Sequence, residues 1–302
     1  MGRLKNTKND IIYYFVRIVI FCFNMIPRSP AVFIGGLMGK LAYWVLSNER
    51  QKTISNLKFA FEDKLNNNER KTIARNVFLN IGKNAVDAIR SKKYFQNEIK
   101  RLVDIEGLEH LNAVYNRGRG VIAVTGHIGN FELLAAFIGN LGYKIAAIGR
   151  EIYDKRLNRL LVENREAVGL TNIDTRESVR KIFRLLKDGY ILGVLIDTDS
   201  MRVRSMFIPA FGKLSWTPVG QSILGLRSGA GFVPIACVRA GKRYKIIIKP
   251  EVVVKASGDF EKDLYNITKL CTEAWEEIVT EYKDQWIWMH DRWNTKPKRP
   301  ID

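Results

Sequence analysis

From residue 120 to residue 282 the chain alternates short runs rich in valine, isoleucine and alanine with longer amphipathic stretches, and this rhythm restricts the fold more than any other feature. The short runs predict strands at 120–125, 144–148, 191–196, 232–238 and 244–248, and the stretches predict helices at 130–141, 154–168, 176–187, 219–228 and 260–282. Such alternation points to an α/β fold with a mostly parallel central sheet flanked by helices. In these sheets reactive side chains collect where strands end and the next helix begins. VIAVT runs into Gly126, His127 and Gly129, KIAAI runs into Gly149 and Arg150, and ILGVLI runs into Asp197 and Asp199. Their convergence on one end of the sheet predicts a site there.

The preceding hundred residues differ. Residues 11–26, IIYYFVRIVIFCFNMI, are interrupted only by Arg17 and Asn24. As a helix they span about 24 Å at roughly 1.5 Å per residue, short of a hydrocarbon core about 30 Å thick. Pro27, Arg28, Ser29 and Pro30 break the helix before a second apolar stretch at 31–46. Basic residues flank both sides, Arg3, Lys5 and Lys8 before and Arg28, Lys40, Arg50, Lys52 and Lys58 after. A hairpin dipping into one leaflet keeps both flanks in the cytosol, which one span does not. The PRSPA following the first stretch is a poor cleavage site, against a signal peptide; burial of the hairpin in the protein's own core is the competing expectation. Residues 49–100 are polar and helical in pattern, with Ile73, Val77, Ile81 and Val86 near helical spacing. The expected organisation is a membrane-associated helical hairpin at 1–48, a helical collar at 49–100 and an α/β catalytic domain at 101–302.

Composition narrows the chemistry. Three scattered cysteines without CxxC spacing argue against a disulfide framework or zinc knuckle, and three distant histidines argue against a metal centre, so neither metal nor cofactor is expected. The formal charge of +18 calls for an anionic partner. Basic residues are spread along the chain without a nucleic-acid motif, so a membrane surface or a phosphorylated substrate is favoured over nucleic acid.

His127 and Glu132 stand five apart in HIGNFE, a spacing that does not share one helix face. With His127 on a loop and Glu132 in the first turn of the next helix, the carboxylate would accept from one ring nitrogen and leave the other as a base. Asn130 is a candidate cap, and Gly126 and Gly129 permit tight turning and approach of a ligand to backbone N–H groups, making Gly129 and Asn130 candidate substrate-binding positions. The spacing HxxxxE is weak alone, and a structural histidine is its ordinary alternative. A serine-hydrolase elbow is missing, since Gly220, Ser222 and Gly225 are wrongly spaced. Gly118 and Gly120 precede their strand, unlike a dinucleotide fingerprint. Trp275, Trp286, Trp288 and Trp293 read as core, as does His290, and Arg159 as surface.

Together TGHIGNFE, the two early helices followed by NLKFAF, GREIYDKRLNRLL, DTDS with MFIPAFG and TP, and the closing DQWIWMHDRWNTKP resemble, in order and over nearly the whole chain, the lipid A biosynthesis acyltransferase family of the HxxxxD/E superfamily. The turn reads Asp197, Thr198, Asp199 where the family has DQD, which leaves the role of Thr198 open. The resemblance implies a membrane-associated O-acyltransferase at the cytoplasmic face of the bacterial inner membrane. It would take a fatty acyl group from an acyl carrier protein thioester, or from acyl-CoA, to a hydroxyl of a phosphorylated glycolipid such as a lipid A precursor. It makes His127 the general base, Glu132 its orienting partner, Arg150 a phosphate or charge-stabilising group and Asp197 an anchor for Arg150 or a wall of the acceptor pocket. A catalytically silent membrane-binding scaffold is the alternative from another class, opposed by His127, Glu132 and Arg150 standing in register with strand ends.

Overall fold

A computed structural model describes residues 2–97, 99–177 and 179–297. Helices α1 (Gly2–Met25), α2 (Arg28–Val45), α3 (Ser47–Phe61), α4 (Asn67–Ile89), α5 (Ser91–Asn97) and α6 (Ile99–Leu102) precede the first strand, with a 3₁₀ turn at Glu62–Lys64. Then follow β1 (Val103–Glu106), α7 (Leu108–Tyr115), β2 (Val121–Thr125), α8 (Phe131–Asn140), β3 (Ile145–Gly149), α9 (Lys155–Glu166), β4 (Leu170–Asp174), α10 (Val179–Lys187) and β5 (Ile191–Leu195). The chain closes with β6 (Ser205–Ala210), β7 (Lys213–Pro218), α11 (Gly220–Ser228), β8 (Gly231–Ala240), β9 (Arg243–Ile248) and α12 (Phe260–Glu281).

The described residues form a seven-stranded sheet in the order β1-β9-β8-β2-β5-β3-β4, parallel except for the β8–β9 hairpin. All of β2 is buried, as its unbroken VIAVT run requires of a parallel strand covered on both faces. One face packs on α7 and α8 through Leu111, Leu133 and Phe137. The other packs on α10, α12 and the closing tryptophans through Leu186, Trp275 and Trp286. The expected mostly parallel α/β sheet is therefore present. Unanticipated elements are β1, α7, β4 and the β6–β7 hairpin. Phe211 and Gly212 at its tip both have positive φ, 52° and 69°, the geometry of a two-residue hairpin turn. Phe211 is held there by packing against Trp275 and Trp288 and by its N–H on Glu276 Oε2 at 2.7 Å.

Among the helices, α4 starts where Asn66 and Glu69 form a reciprocal capping box. Helix α2 lies against it with almost no side chain between. A Cβ on Gly35, Gly39 or Gly82 would fall 2.7, 2.2 and 2.1 Å from backbone oxygens of the opposite helix. Phe23 of α1, Ala31 of α2 and Val86 of α4 form a small buried cluster. One side of each early helix is thus covered by the protein itself, while Phe15, Ile18, Phe21, Phe33, Leu41 and Trp44 are at least 60% exposed. No single helix among the described residues is long and apolar enough to cross a membrane; α2 and the segment from Ser47 together qualify only with an 89° bend between them.

Candidate active site

The strand register brings the two main site residues together. β2 and β5 pair with Val121 opposite Ile191 and Thr125 opposite Leu195, a constant offset that, continued past the strand ends, sets His127 beside Asp197. Asp197 is wholly buried and its carboxylate is saturated. Oδ1 lies 2.8 Å from His127 Nδ1, and Oδ2 accepts from the His127 backbone N–H at 2.6 Å and from Trp286 Nε1 at 2.7 Å. Gly126 makes this approach possible, since a Cβ there would meet Trp275 Nε1 at 2.4 Å and Asp197 Oδ2 at 2.8 Å. Burial would push the His127 pKa down, but the charge and hydrogen bond of Asp197, with a further contribution from Glu132, leave it raised above 6.5. Burial likewise opposes the Asp197 charge, but His127 and Trp286 hold its carboxyl well below the usual range. With Nδ1 carrying the proton toward Asp197, the neutral ring presents its lone pair at Nε2.

This arrangement corrects the expected role of Glu132. Its carboxylate does not orient His127. It forms a two-pronged pair with Arg165 of α9, at 3.0 Å from Nε and 2.5 Å from Nη2, while Arg165 Nη1 donates to Asn172 Oδ1 at 2.9 Å. Gly149 is needed here as well, because a Cβ on it would stand 2.7 Å from Arg165 Nη1. Of the two roles expected for Asp197, anchoring Arg150 or walling the acceptor pocket, the first is not seen: Arg150 is exposed at the end of β3, and His127 and Trp286 occupy both Asp197 oxygens. Arg159 is exposed, as its reading as surface anticipates.

Gly129 and Asn130 also depart from expectation. The N–H of Gly129 donates to Gln285 O at 2.9 Å and that of Asn130 to Cys237 O at 2.7 Å, so neither amide is open to a ligand. Gly129 has φ +57°, and a Cβ on it would lie 2.0 Å from Cys237 O. The Asn130 side chain caps α8 through Leu133 N and donates to Asn84 O and Tyr244 Oη. Both residues fix the loop that carries His127. Asn84 completes the brace by donating to Gly129 O at 2.8 Å and accepting from Arg239. Arg239 in turn meets the buried Asp87, which also receives Arg28, Tyr94 and Tyr244. Burial disfavours the Asp87 charge, yet Arg239 and Arg28 keep its pKa lowered.

Two further residues, Arg165 and Arg292, escaped the sequence reading, and a third, His290, was read only as core. Arg165 lies 33 positions from Glu132 on another helix and carries no local signal. The ring of His290, taken as core, sits 4.5 Å from that of His127, and burial and the neighbouring His127 lower its pKa. Arg292 is fully buried and donates to Thr217 Oγ1 at 3.0 Å; burial pulls its pKa down to about 10 against the pull of Asp197 and Asp199. Asp199 binds the backbone and hydroxyl of Thr295, tying the closing segment over the strand ends. The four late tryptophans are buried in the core, as expected.

An apolar cavity of about 100 Å³ runs between α8 and the sheet, lined by Ala123, Phe131, Leu134, Ile145, Gly193 and Ile235, with Glu132 and Arg165 in its wall; Phe131, whose ring meets that of His127 at 5.1 Å, connects it to the histidine. No group of three or more candidate metal ligands occurs among the described residues.

Known proteins similar to this chain are acyltransferases. A lipid A biosynthesis lauroyltransferase of Escherichia coli (strain K12) is 25% identical over 287 residues, covering 93% of this chain and 90% of the relative. A lipid A biosynthesis palmitoleoyltransferase of the same organism is 24% identical over 92% of this chain and 90% of its own length. A phosphatidylinositol mannoside acyltransferase of Mycolicibacterium smegmatis is 21% identical over 68% of this chain and 67% of the relative. The family model described as bacterial lipid A biosynthesis acyltransferase matches residues 3–295, and the chain therefore belongs to that family of acyltransferases.

Proposed function

We propose that the protein moves a fatty acyl group from an acyl carrier protein thioester to a hydroxyl of a lipid A precursor, at the cytoplasmic face of the bacterial inner membrane. The observation that carries this reading is the 2.8 Å pairing of His127 Nδ1 with the buried Asp197, which leaves Nε2 as a base of raised pKa. Nε2 takes the proton of the acceptor hydroxyl as its oxygen bonds to the thioester carbonyl carbon. The carbon–sulfur bond then breaks, and the imidazolium, stabilised by Asp197, returns the proton to the leaving thiolate. The apolar cavity suits the acyl chain, and the Glu132–Arg165 pair lies in its wall. Arg150, exposed at the same end of the sheet, suits a substrate phosphate.

The uncovered faces of α1 and α2, with Phe15, Phe21, Phe33 and Trp44 exposed, favour monotopic attachment by residues 1–48. Residues 49–100 then act as a collar and 101–302 as the catalytic part. The mannoside acyltransferase relative favours a second reading, acylation of another glycolipid or phospholipid, with acyl-CoA as an alternative donor. Mass spectrometry of membrane lipids from cells with and without the protein separates them: loss of a secondary acyl chain from lipid A supports the first, and unchanged lipid A with another glycolipid under-acylated supports the second.

A further inference from the structure

A second apolar hollow lies outside the cavity just described. It is a groove of about 690 Å³ between α1 and α9, walled by Val16 and Ile20 on one side and Leu157, Leu160 and Leu161 on the other, within the usual size range of ligand sites. Lys92 and Lys93 stand at it as exposed cations, and its lining includes Glu132, whose pair with Arg165 also borders the inner cavity. Helix α1 crosses the groove as a strap fixed at two points. Near its start, Arg156 of α9 pairs with Asp10 at 2.7 Å and sits over the Tyr13 ring at 4.6 Å. Near its end, Phe23 packs on Val86, and Arg90 donates to Phe23 O and to Ile26 O. Between the ties, Val16 and Ile20 line the groove while Phe15, Ile18 and Phe21 are exposed. The strap is therefore apolar on both sides.

We infer that this groove admits one hydrocarbon chain of a phosphate-bearing membrane lipid, the acceptor, sideways from the bilayer under α1, with the phosphate against Lys92 and Lys93 and the Glu132–Arg165 pair as the partition from the inner cavity. The inference rests on the acyltransferase reading above. Three features select this occupant. The groove walls are apolar and continuous with the exposed face of α1, so a lipid already in a bilayer reaches them without crossing water. Among the described residues lining the groove the charges are Lys92, Lys93, Glu132 and Glu163; Glu132 is taken by Arg165, and the two lysines, Lys93 also reaching Asn24 O at 3.2 Å, match a phosphate. The shared Glu132 lets chains in the two hollows converge on the loop of His127, whose ring packs on Phe131 at 5.1 Å.

The test uses the full chain on phosphatidylcholine vesicles containing a phosphatidic acid with a diazirine halfway along one acyl chain. Irradiation is expected to leave adducts on Leu157, Leu160 or Leu161 of α9. Adducts confined to α1 and α2 residues on the outer apolar face would overturn the groove. The same diazirine carried by phosphatidylcholine is expected to label α9 less, and equal labelling would overturn the role of the lysines. In the transfer assay, Leu160→Trp narrows the groove and is expected to raise the KM of the lipid acceptor about tenfold while moving that of the thioester donor by less than about twofold. A rise for the donor alone, or for neither, would count against the proposal. Absence of any acyl transfer by the unaltered protein would instead sink the catalytic reading, and α9 adducts report on the groove independently of it.

Discussion

Asp197 receives three N–H groups on one carboxylate, so its charge and its two acceptor oxygens are both in use. Asp197→Asn either sets its NH₂ against the pair of donors on Oδ2, a buried mismatch worth about 1–3 kcal/mol, or turns it toward Nδ1, which forces the ring proton onto Nε2 and removes the free base. It also removes the charge that raises the His127 pKa. Transfer in the unaltered protein is expected to rise with pH through a midpoint above 6.5, because only the neutral ring accepts a proton, and the midpoint is expected to fall in Asp197→Asn. Pre-steady-state rates across pH check this. The linkage to stability has two edges. The raised His127 contributes fully below 6.5 and loses its contribution as pH rises through its folded value; the lowered Asp197 contributes above 3.8 and loses it as pH falls through its own. The pair is thus most stabilising between those two reference values. His127→Ala is expected to cost at least about 10²-fold in transfer with the fold retained. Glu132→Gln and Arg165→Gln are each expected to destabilise by about 1–3 kcal/mol, and the double variant by no more than the worse single one, because each single change strands a half-buried partner. Thermal melts of the cycle measure it. His127 was legible because it follows a buried strand between glycines. Its hydrogen-bond partner was not, since Asp197 is 70 residues away and only the β2–β5 register brings the two together.

Between elements, the contact of α2 with α4 depends on glycine at particular positions. Gly82→Ala is expected to destabilise by about 1–3 kcal/mol, since its Cβ would fall 2.1 Å from Gly35 O and neither backbone can yield cheaply. Gly36→Ala on the same stretch meets only side chains, Lys83 nearest at 3.1 Å and Leu79 at 3.8 Å, and is expected to be neutral or stabilising by up to about 1 kcal/mol through helix propensity. Urea titration of both variants tests the contrast. The longer elements of the sheet region were readable to within a few residues because their apolar periods are long and unbroken. β1 escaped notice because it has four residues, two of them acidic, and β6–β7 because Pro209 and Pro218 argue against strands. Those strands exist through tertiary support, with Phe211 inserted among the tryptophans and its N–H held by α12.

For the molecule as a whole, the charge of +18 makes the donor prediction testable. A strongly acidic carrier protein should be favoured over acyl-CoA in kcat/KM at low salt, with the preference shrinking as salt screens it over a Debye length of about 10 Å at 0.1 M. Equal use of both donors at all salt concentrations would remove the carrier assignment and leave the His127 chemistry intact. The early helices belong to the same body as the site. Removing residues 1–47 would take Arg28 from Asp87 and bare the glycine face of α4, and the product is expected to be insoluble. Removing residues 2–20 spares both, and is expected to weaken vesicle sedimentation while leaving the far-ultraviolet dichroism per residue close to unchanged. The pairing of Arg28 with Asp87 also sets a schedule for synthesis. Helix α2 ends at Val45 and α4 at Ile89, 44 residues later, so roughly 2 to 9 s of translation at about 5–20 residues per second pass with α2 made and its partner helix unfinished. Throughout that interval both sides of the newborn segment are apolar and uncovered, so under the proposed attachment by residues 1–48 the segment is expected to meet the bilayer before its partner helix is complete.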